Sequence, residues 1–134
     1  MQQFPWTTLV TLLAIALYLA MIMGVGRARA KYKVAAPAMT GEPTFERHFR
    51  VHMNTLESLP IYLPSLWLFA SHWGDRLAAA IGALWIVGRL IYWASYIRDP
   101  RSRSLGFGVQ GFANLALLIG ALFGVIQILI TPSS

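Results

Sequence analysis

The sequence contains no cysteine. Disulfides and thiolate metal sites are thereby excluded, and any thiol in its chemistry must arrive with a substrate. Charge is scarce as well: only 12% of the 134 residues are Asp, Glu, Lys or Arg, against about 25% in an ordinary soluble domain. Acidic residues are scarcer still, five against eleven Lys and Arg, for a net charge of +6. In a soluble protein that excess would suggest nucleic acid. Here 57% of the residues are hydrophobic, and the simpler expectation is membrane lipid headgroups, with no nucleic acid and no metal. The length fits one domain, residues 1–134, and no internal repeat or low-complexity segment is visible.

What the chain does have is long uncharged runs. Residues 6–26 are 21 in a row without a charge, close to the roughly 20 that cross about 30 Å of hydrocarbon. The run is too long for a signal-peptide core and no Lys or Arg precedes it, so a cleaved signal is not expected. Residues 77–97 form a second run of 21, interrupted only by Arg89, and residues 105–130 a third, 26 long and uncharged. Residues 58–70 are apolar for only 13 positions, about 20 Å as a helix. To span, that helix must begin near Phe45 and carry Arg47, Arg50, Asn54 and Glu57 with it, and Pro60 and Pro64 predict a kink. The pattern predicts an all-α integral membrane protein, a four-transmembrane-helix bundle with helices near 5–33, 44–71, 76–97 and 104–131. The first runs past Gly26 because Arg27, Arg29, Lys31 and Lys33 can snorkel. Residues 27–44 make a long loop, 72–76 a tight hairpin and 98–104 the third connection. Lys and Arg number six in residues 27–50, three in 98–103 and one in the second loop. The positive-inside rule then places loops one and three in the cytoplasm and both termini outside.

Polar residues inside these spans are not scattered. At 100° per residue, Glu46, Arg47, Arg50, Asn54 and Glu57 fall within an arc of about 100°, with Phe45, Phe49, Leu56, Leu59 and Leu63 well away from it. Trp85, Arg89, Tyr92 and Tyr96 follow i, i+4, i+7 and i+11, a narrower stripe. Charges in hydrocarbon cost at least ~2.5–3.5 kcal/mol each, so such stripes face the bundle interior or a wet cavity. Measured from the second loop, Arg89 lies about 18 Å deep, Glu57 about 21 Å, Tyr92 about 22 Å and Asn54 about 25 Å. The hairpin therefore puts Glu57 within reach of Arg89 or Tyr92. A structural ion pair is the plainer role for Arg89. Arg50, Asn54 and Glu57 together, opening toward the cytoplasmic surface, suggest a pocket for a polar ligand. By position alone Arg103 is a headgroup anchor, His48 and His52 are interfacial packing, and the glycines of the fourth span (Gly106, Gly108, Gly111, Gly120, Gly124) permit close helix approach.

Three stretches resemble the MAPEG family, membrane-associated proteins in eicosanoid and glutathione metabolism. They are Phe45-Glu46-Arg47-His48-Phe49-Arg50-Val51-His52-Met53-Asn54-Thr55-Leu56-Glu57 with Leu59-Pro60, then Trp85-Ile86-Val87-Gly88-Arg89-Leu90-Ile91-Tyr92 running to Tyr96, then Asp99-Pro100-Arg101-Ser102-Arg103-Ser104 before a glycine-rich helix. Asn54-Thr55-Leu56-Glu57 and Trp85-Ile86-Val87-Gly88-Arg89 are most similar to the microsomal glutathione transferase type three branch. The resemblance covers essentially the whole chain and implies a homotrimer with glutathione bound between subunits near the cytoplasmic face. It implies Arg29 and Arg50 at the glutathione carboxylates with His52 nearby, and Asn54, Glu57 and Tyr92 at the γ-glutamyl end and backbone. Tyr96 adds a hydrogen bond and Arg103 stabilises the thiolate. Ser58 departs from the tyrosine of the leukotriene C synthase branch. The co-substrate implied is a hydrophobic electrophile or lipid hydroperoxide arriving from the bilayer.

Two other functions compete. One is a non-catalytic lipid-binding member resembling the five-lipoxygenase activating protein, which Arg103 disfavours because that branch lacks the arginine. The other is a small proton-coupled multidrug transporter, disfavoured because Arg50 and Arg89 would neutralise Glu57 and make the pocket anion-seeking.

Overall fold

The computed structural model describes residues 2–132. Four helices follow one another: α1 (Pro5–Tyr32), α2 (Pro43–Trp73), α3 (Asp75–Arg98) and α4 (Ser104–Ile130), with one 3-10 turn at Pro100–Ser102. Three stretches are long and apolar enough to cross a membrane: α1, α3 and the segment Pro100–Ile130 that contains α4. With α2 packed among them they form an all-α, multi-span membrane bundle.

Local chemistry sets each boundary. Pro5 and Pro43 open α1 and α2, where the missing N–H costs no helical hydrogen bond. The Glu42 carboxylate accepts from the Phe45 N–H at 2.8 Å and caps α2. At the end of α1, Lys33 takes a left-handed conformation (φ 58°), and the Val34 N–H returns to the Arg29 carbonyl at 3.0 Å. The hairpin expected over residues 72–76 contracts to Gly74 alone, whose φ of 106° reverses the chain in one residue. The last turn of α2 therefore continues through Trp73, which donates its indole N–H to the Gly120 carbonyl of α4 at 2.8 Å. Just beyond, Asp75 accepts from the backbone N–H of Thr7 (2.8 Å) and of Trp6 (3.1 Å), so the start of α3 caps the start of α1.

Between α3 and α4 the backbones nearly touch. A β-carbon at Gly88 would lie 2.6 Å from the Gln110 backbone nitrogen, and one at Gly106 would run into the backbone of Tyr92. Of the fourth-span glycines, Gly120 and Gly124 lie against the Phe69 and His72 side chains while Gly108 and Gly111 face open space, so the close-packing expectation holds for Gly106, Gly120 and Gly124 and not for the other two.

The core has three parts, the smallest being Val25, Ala28 and Phe45 where the end of α1 meets the start of α2. Tyr62 and Trp85 stack at 4.0 Å, surrounded by Ala14, Leu66, Ala78, Ala113 and Leu117. Leu17, Met21, Val51, Tyr92 and Tyr96 form the second cluster. Beside the first cluster Ser58 accepts from the Trp85 indole (3.1 Å) and the Asn114 amide (2.9 Å) and donates to Gln110 Oε1 (3.0 Å). In lipid, where apolar packing releases no water, interhelical bonds of this kind contribute about 0.6 kcal/mol each. The outer face of α4 is exposed and apolar at Leu115, Ile119, Leu122 and Phe123, as a lipid-facing helix requires.

Candidate functional site

The N-terminal half of α2, the C-terminal half of α3 and the entrance to α4 enclose a cleft of about 440 Å³. Arg50, Asn54, Glu57, Tyr92, Tyr96 and Arg103 all line it, joined by Glu46, Phe49 and Met53 from α2 and by Met39 and Thr40 from the first loop. The volume falls within the range of about 300–1,000 Å³ usual for small-molecule sites. The wall carries charges of both signs, Arg50 and Arg103 with Glu46 and Glu57. Among the described residues, Arg50, Glu57 and Arg103 form no ion pair, since the single one present is Arg101–Asp99 at 3.4 Å. Their charges remain available to a zwitterionic ligand. None of the described residues groups three His, Asp or Glu side chains around a possible metal position.

The connection before α4 is built to place Arg103. The Arg101 backbone N–H donates to Asp99 Oδ1 at 3.1 Å, and this bond, with the nearby guanidinium, holds the Asp99 carboxyl below its ordinary pKa. Ser102 Oγ donates to the Ser95 carbonyl at 3.0 Å, tying the turn back to α3. Arg103 follows as the first capping residue of α4, exposed at the mouth of the cleft.

Beneath the cleft lies Arg89, 1% exposed. The expected pairing of Arg89 with Glu57 does not form. Arg89 Nη1 instead donates to Asn54 Oδ1 at 2.8 Å and to Thr55 Oγ1 at 3.3 Å, and its guanidinium carbon lies 5.0 Å from the centre of the Tyr92 ring. The reason is rotational: Thr55 is buried between helices while Glu57 points outward to the exposed rim. An arginine has only donors, so the Asn54 carbonyl is turned toward it and the Asn54 NH₂ is left for the cleft. With Arg89 so engaged, only Arg50 is left of the two arginines invoked beside Glu57 against a transporter, and it shares the cleft with Glu57 without an ion pair.

Other expected positions are also redistributed. Arg47, on the same arc as Arg50, donates to the Ile97 carbonyl at 2.9 Å and closes the C-terminus of α3. Phe49, expected well away from the stripe, edges the cleft. Arg29 lies outside it: Nη1 donates to the Ala38 carbonyl at 2.7 Å and the guanidinium covers the Phe45 ring, pinning the first loop. His52 also lies outside, bonded through Nδ1 to the Phe49 carbonyl and stacked on Tyr18 of α1. Ser58 turns into the core and serves the polar network there. Met39 and Thr40 were not expected in the cleft; nothing in loop composition marks which residues fold back over a site. Met53 was legible, because Glu46, Arg50, Met53 and Glu57 repeat at i, i+4, i+7 and i+11.

The model of the MAPEG family matches residues 7–123. The chain belongs to the MAPEG family. An uncharacterized protein of Synechocystis is 45% identical to this MAPEG chain over 121 residues, covering 90% of it and 88% of the relative. Human microsomal glutathione S-transferase 2 is 40% identical over 99 residues, 73% of this chain and 67% of that one. The leukotriene C4 synthase of Cavia porcellus is 32% identical over 117 residues, 87% and 78% of the two chains. The MAPEG chain is thus related to membrane enzymes of both kinds.

Proposed function

We propose that the protein is a membrane-bound glutathione transferase, and that the whole chain acts as one domain that activates the glutathione thiol in the cleft. The observation that carries this reading is the convergence of Arg50, Asn54, Glu57, Tyr92, Tyr96 and Arg103 on one cavity. Glutathione brings two carboxylates, one ammonium and one thiol. Arg50 takes a carboxylate, Glu57 the ammonium, and the Asn54 amide and Tyr92 hydroxyl the γ-glutamyl end and backbone, with Tyr96 adding a further hydrogen bond. Arg29 and His52 lie off the cleft of their own chain, which suits a homotrimer in which each serves the neighbouring protomer's ligand. The relatives' names support the co-substrate, as microsomal glutathione S-transferases 2 of three mammals share 36% to 40% identity with this chain. The finer likeness to the type three branch rests on the residues around Asn54 and Arg89 alone.

The chemistry assigned to Arg103 is electrostatic. A free thiol has a pKa near 8.5 and is mostly protonated at neutral pH, yet the thiolate is the nucleophile. Arginine stays protonated and cannot serve as the base, so the thiol proton leaves to solvent. The guanidinium then holds the thiolate, and an opposite charge at this range lowers the thiol pKa by about one to three pH units. The sulfur forms its new bond to the electrophilic atom of a hydrophobic molecule entering from the bilayer, and the displaced group leaves with the electron pair. Attack on a lipid hydroperoxide draws on the same thiolate: the sulfur takes the outer oxygen as a sulfenic acid, the O–O bond breaks, the lipid alcohol leaves, and a second glutathione converts the sulfenic acid to the disulfide and water. The non-catalytic lipid-binding alternative has no use for a cation at that position.

Arg103→Ala tests the assignment. The thiolate absorbance of bound glutathione should titrate at higher pH, while glutathione affinity changes little, because most contacts are to carboxylates and amine. Activity should fall most at neutral pH and recover in part as alkaline buffer ionises the thiol unaided. Full activity with an unchanged titration would leave Arg103 a headgroup anchor.

A further inference from the structure

On the opposite side of α2 from the cleft, a second groove of about 270 Å³ lies between α1, α2 and α3. It is lined by Arg27, Lys31 and Tyr32 of α1, Thr44 and His48 of α2, and Trp93 of α3. We propose that this groove binds the phosphate of an anionic membrane lipid, at a site separate from the cleft and independent of the glutathione reading.

The groove is positive, and among the described residues that line it none is acidic. Arg27 and Lys31 stand one helical turn apart on the same side of α1. No carboxylate lines the groove, and among the described residues neither cation forms an ion pair. His48 Nδ1 is buried there without a hydrogen-bond partner, a cost that a native structure ordinarily offsets with a ligand or water. A β-carbon at Gly24 would sit 3.4 Å from that nitrogen and 3.5 Å from the Trp93 ring, so the glycine leaves no side chain of its own between the imidazole and the groove. A tetrahedral phosphate suits this set, because its oxygens accept from a guanidinium, an ammonium, a hydroxyl and an imidazole N–H at once.

Position favours a lipid over a soluble anion. The groove lies in the last two turns of α1 and the first two of α2, at the end of a membrane-spanning bundle, with Trp93 and Tyr32 where interfacial aromatics sit. One turn toward mid-helix on the same sides, Met23 and Leu90 are exposed apolar residues against which acyl chains can lie. His48 sits roughly 160° from Arg50 and 120° from Asn54 around α2, and no residue lines both the groove and the cleft, so the two sites share a helix without sharing a wall.

The test uses the full chain, delipidated in a neutral detergent. Phosphatidylglycerol should raise the melting temperature and persist as a bound mass in native mass spectrometry, whereas phosphatidylcholine should do neither. Arg27→Gln with Lys31→Gln should weaken phosphatidylglycerol binding by about fivefold for each cation removed, about 25-fold together. Arg27→Lys with Lys31→Arg should retain it, as should Arg76→Gln at the far end of the bundle. Binding unchanged in the double glutamine variant, or equal for the two lipids, would overturn the proposal. A melting shift of the same size from inorganic phosphate alone would overturn the lipid assignment.

Discussion

Replacing Arg89 by methionine separates a residue that shapes the cleft from one that merely holds the bundle together. Arg89 makes two hydrogen bonds, 2.8 Å to Asn54 and 3.3 Å to Thr55, and is 1% exposed. Hydrogen bonds to a charged group are worth about 1.5–3 kcal/mol each. Against that loss stands the release of a buried cation from an apolar setting, a gain of at least ~2.5–3.5 kcal/mol on insertion scales. Methionine fills much of the same volume, and Thr55 still donates to the Val51 carbonyl at 2.9 Å. The two bonds together are worth about 3–6 kcal/mol against that gain of about 2.5–3.5, so the melting temperature should fall by the equivalent of at most about 3.5 kcal/mol. Binding should not escape. Once the Asn54 carbonyl loses its donor, the amide can turn, and one well-placed bond to glutathione is lost or shared. That is worth about 0.5–1.5 kcal/mol, or roughly twofold to tenfold in affinity. Calorimetric titration measures the loss, and a double-mutant cycle locates it: in an Asn54→Leu background, Arg89→Met should add almost nothing. Equal losses in both backgrounds, or none in either, would refute a positioning role for Arg89.

Two further outcomes follow from the packing and the charge distribution. Gly106→Val places a side chain against the backbone of Tyr92 and should destabilise the bundle by about 1–3 kcal/mol, seen as a lower melting temperature. Gly108→Val, which faces open space, should stay within about 0.5 kcal/mol of the parent. Tags on the two ends of the chain should both be accessible from the non-cytoplasmic side, and either one found in the cytoplasm would overturn the topology that puts the cleft at the cytoplasmic face.

The sequence by itself determined the helices and their number. A bilayer leaves a single chain few ways to satisfy its backbone, so uncharged runs as long as residues 6–26 or 105–130 must be helical. It determined the polar stripes too, because intramembrane charge is costly enough to force one face inward. Helical periodicity alone therefore places Arg50, Asn54 and Glu57 together. Only the tertiary structure decided which partner each side chain takes. Arginine reaches several ångströms, and a rotation of α2 by about 60° exchanges Glu57 for Asn54 in front of Arg89. That rotation is tied to contacts remote in sequence that join α2 to α3, such as Tyr62 stacked on Trp85 and bonded to the Gly82 carbonyl. Packing of the bundle likewise places Arg47 at the end of α3, Ser58 inward, and Arg29 and His52 outside the cleft of their own chain. Depth along a helix follows from counting residues; the direction in which a side chain faces its neighbours follows from how the whole bundle packs.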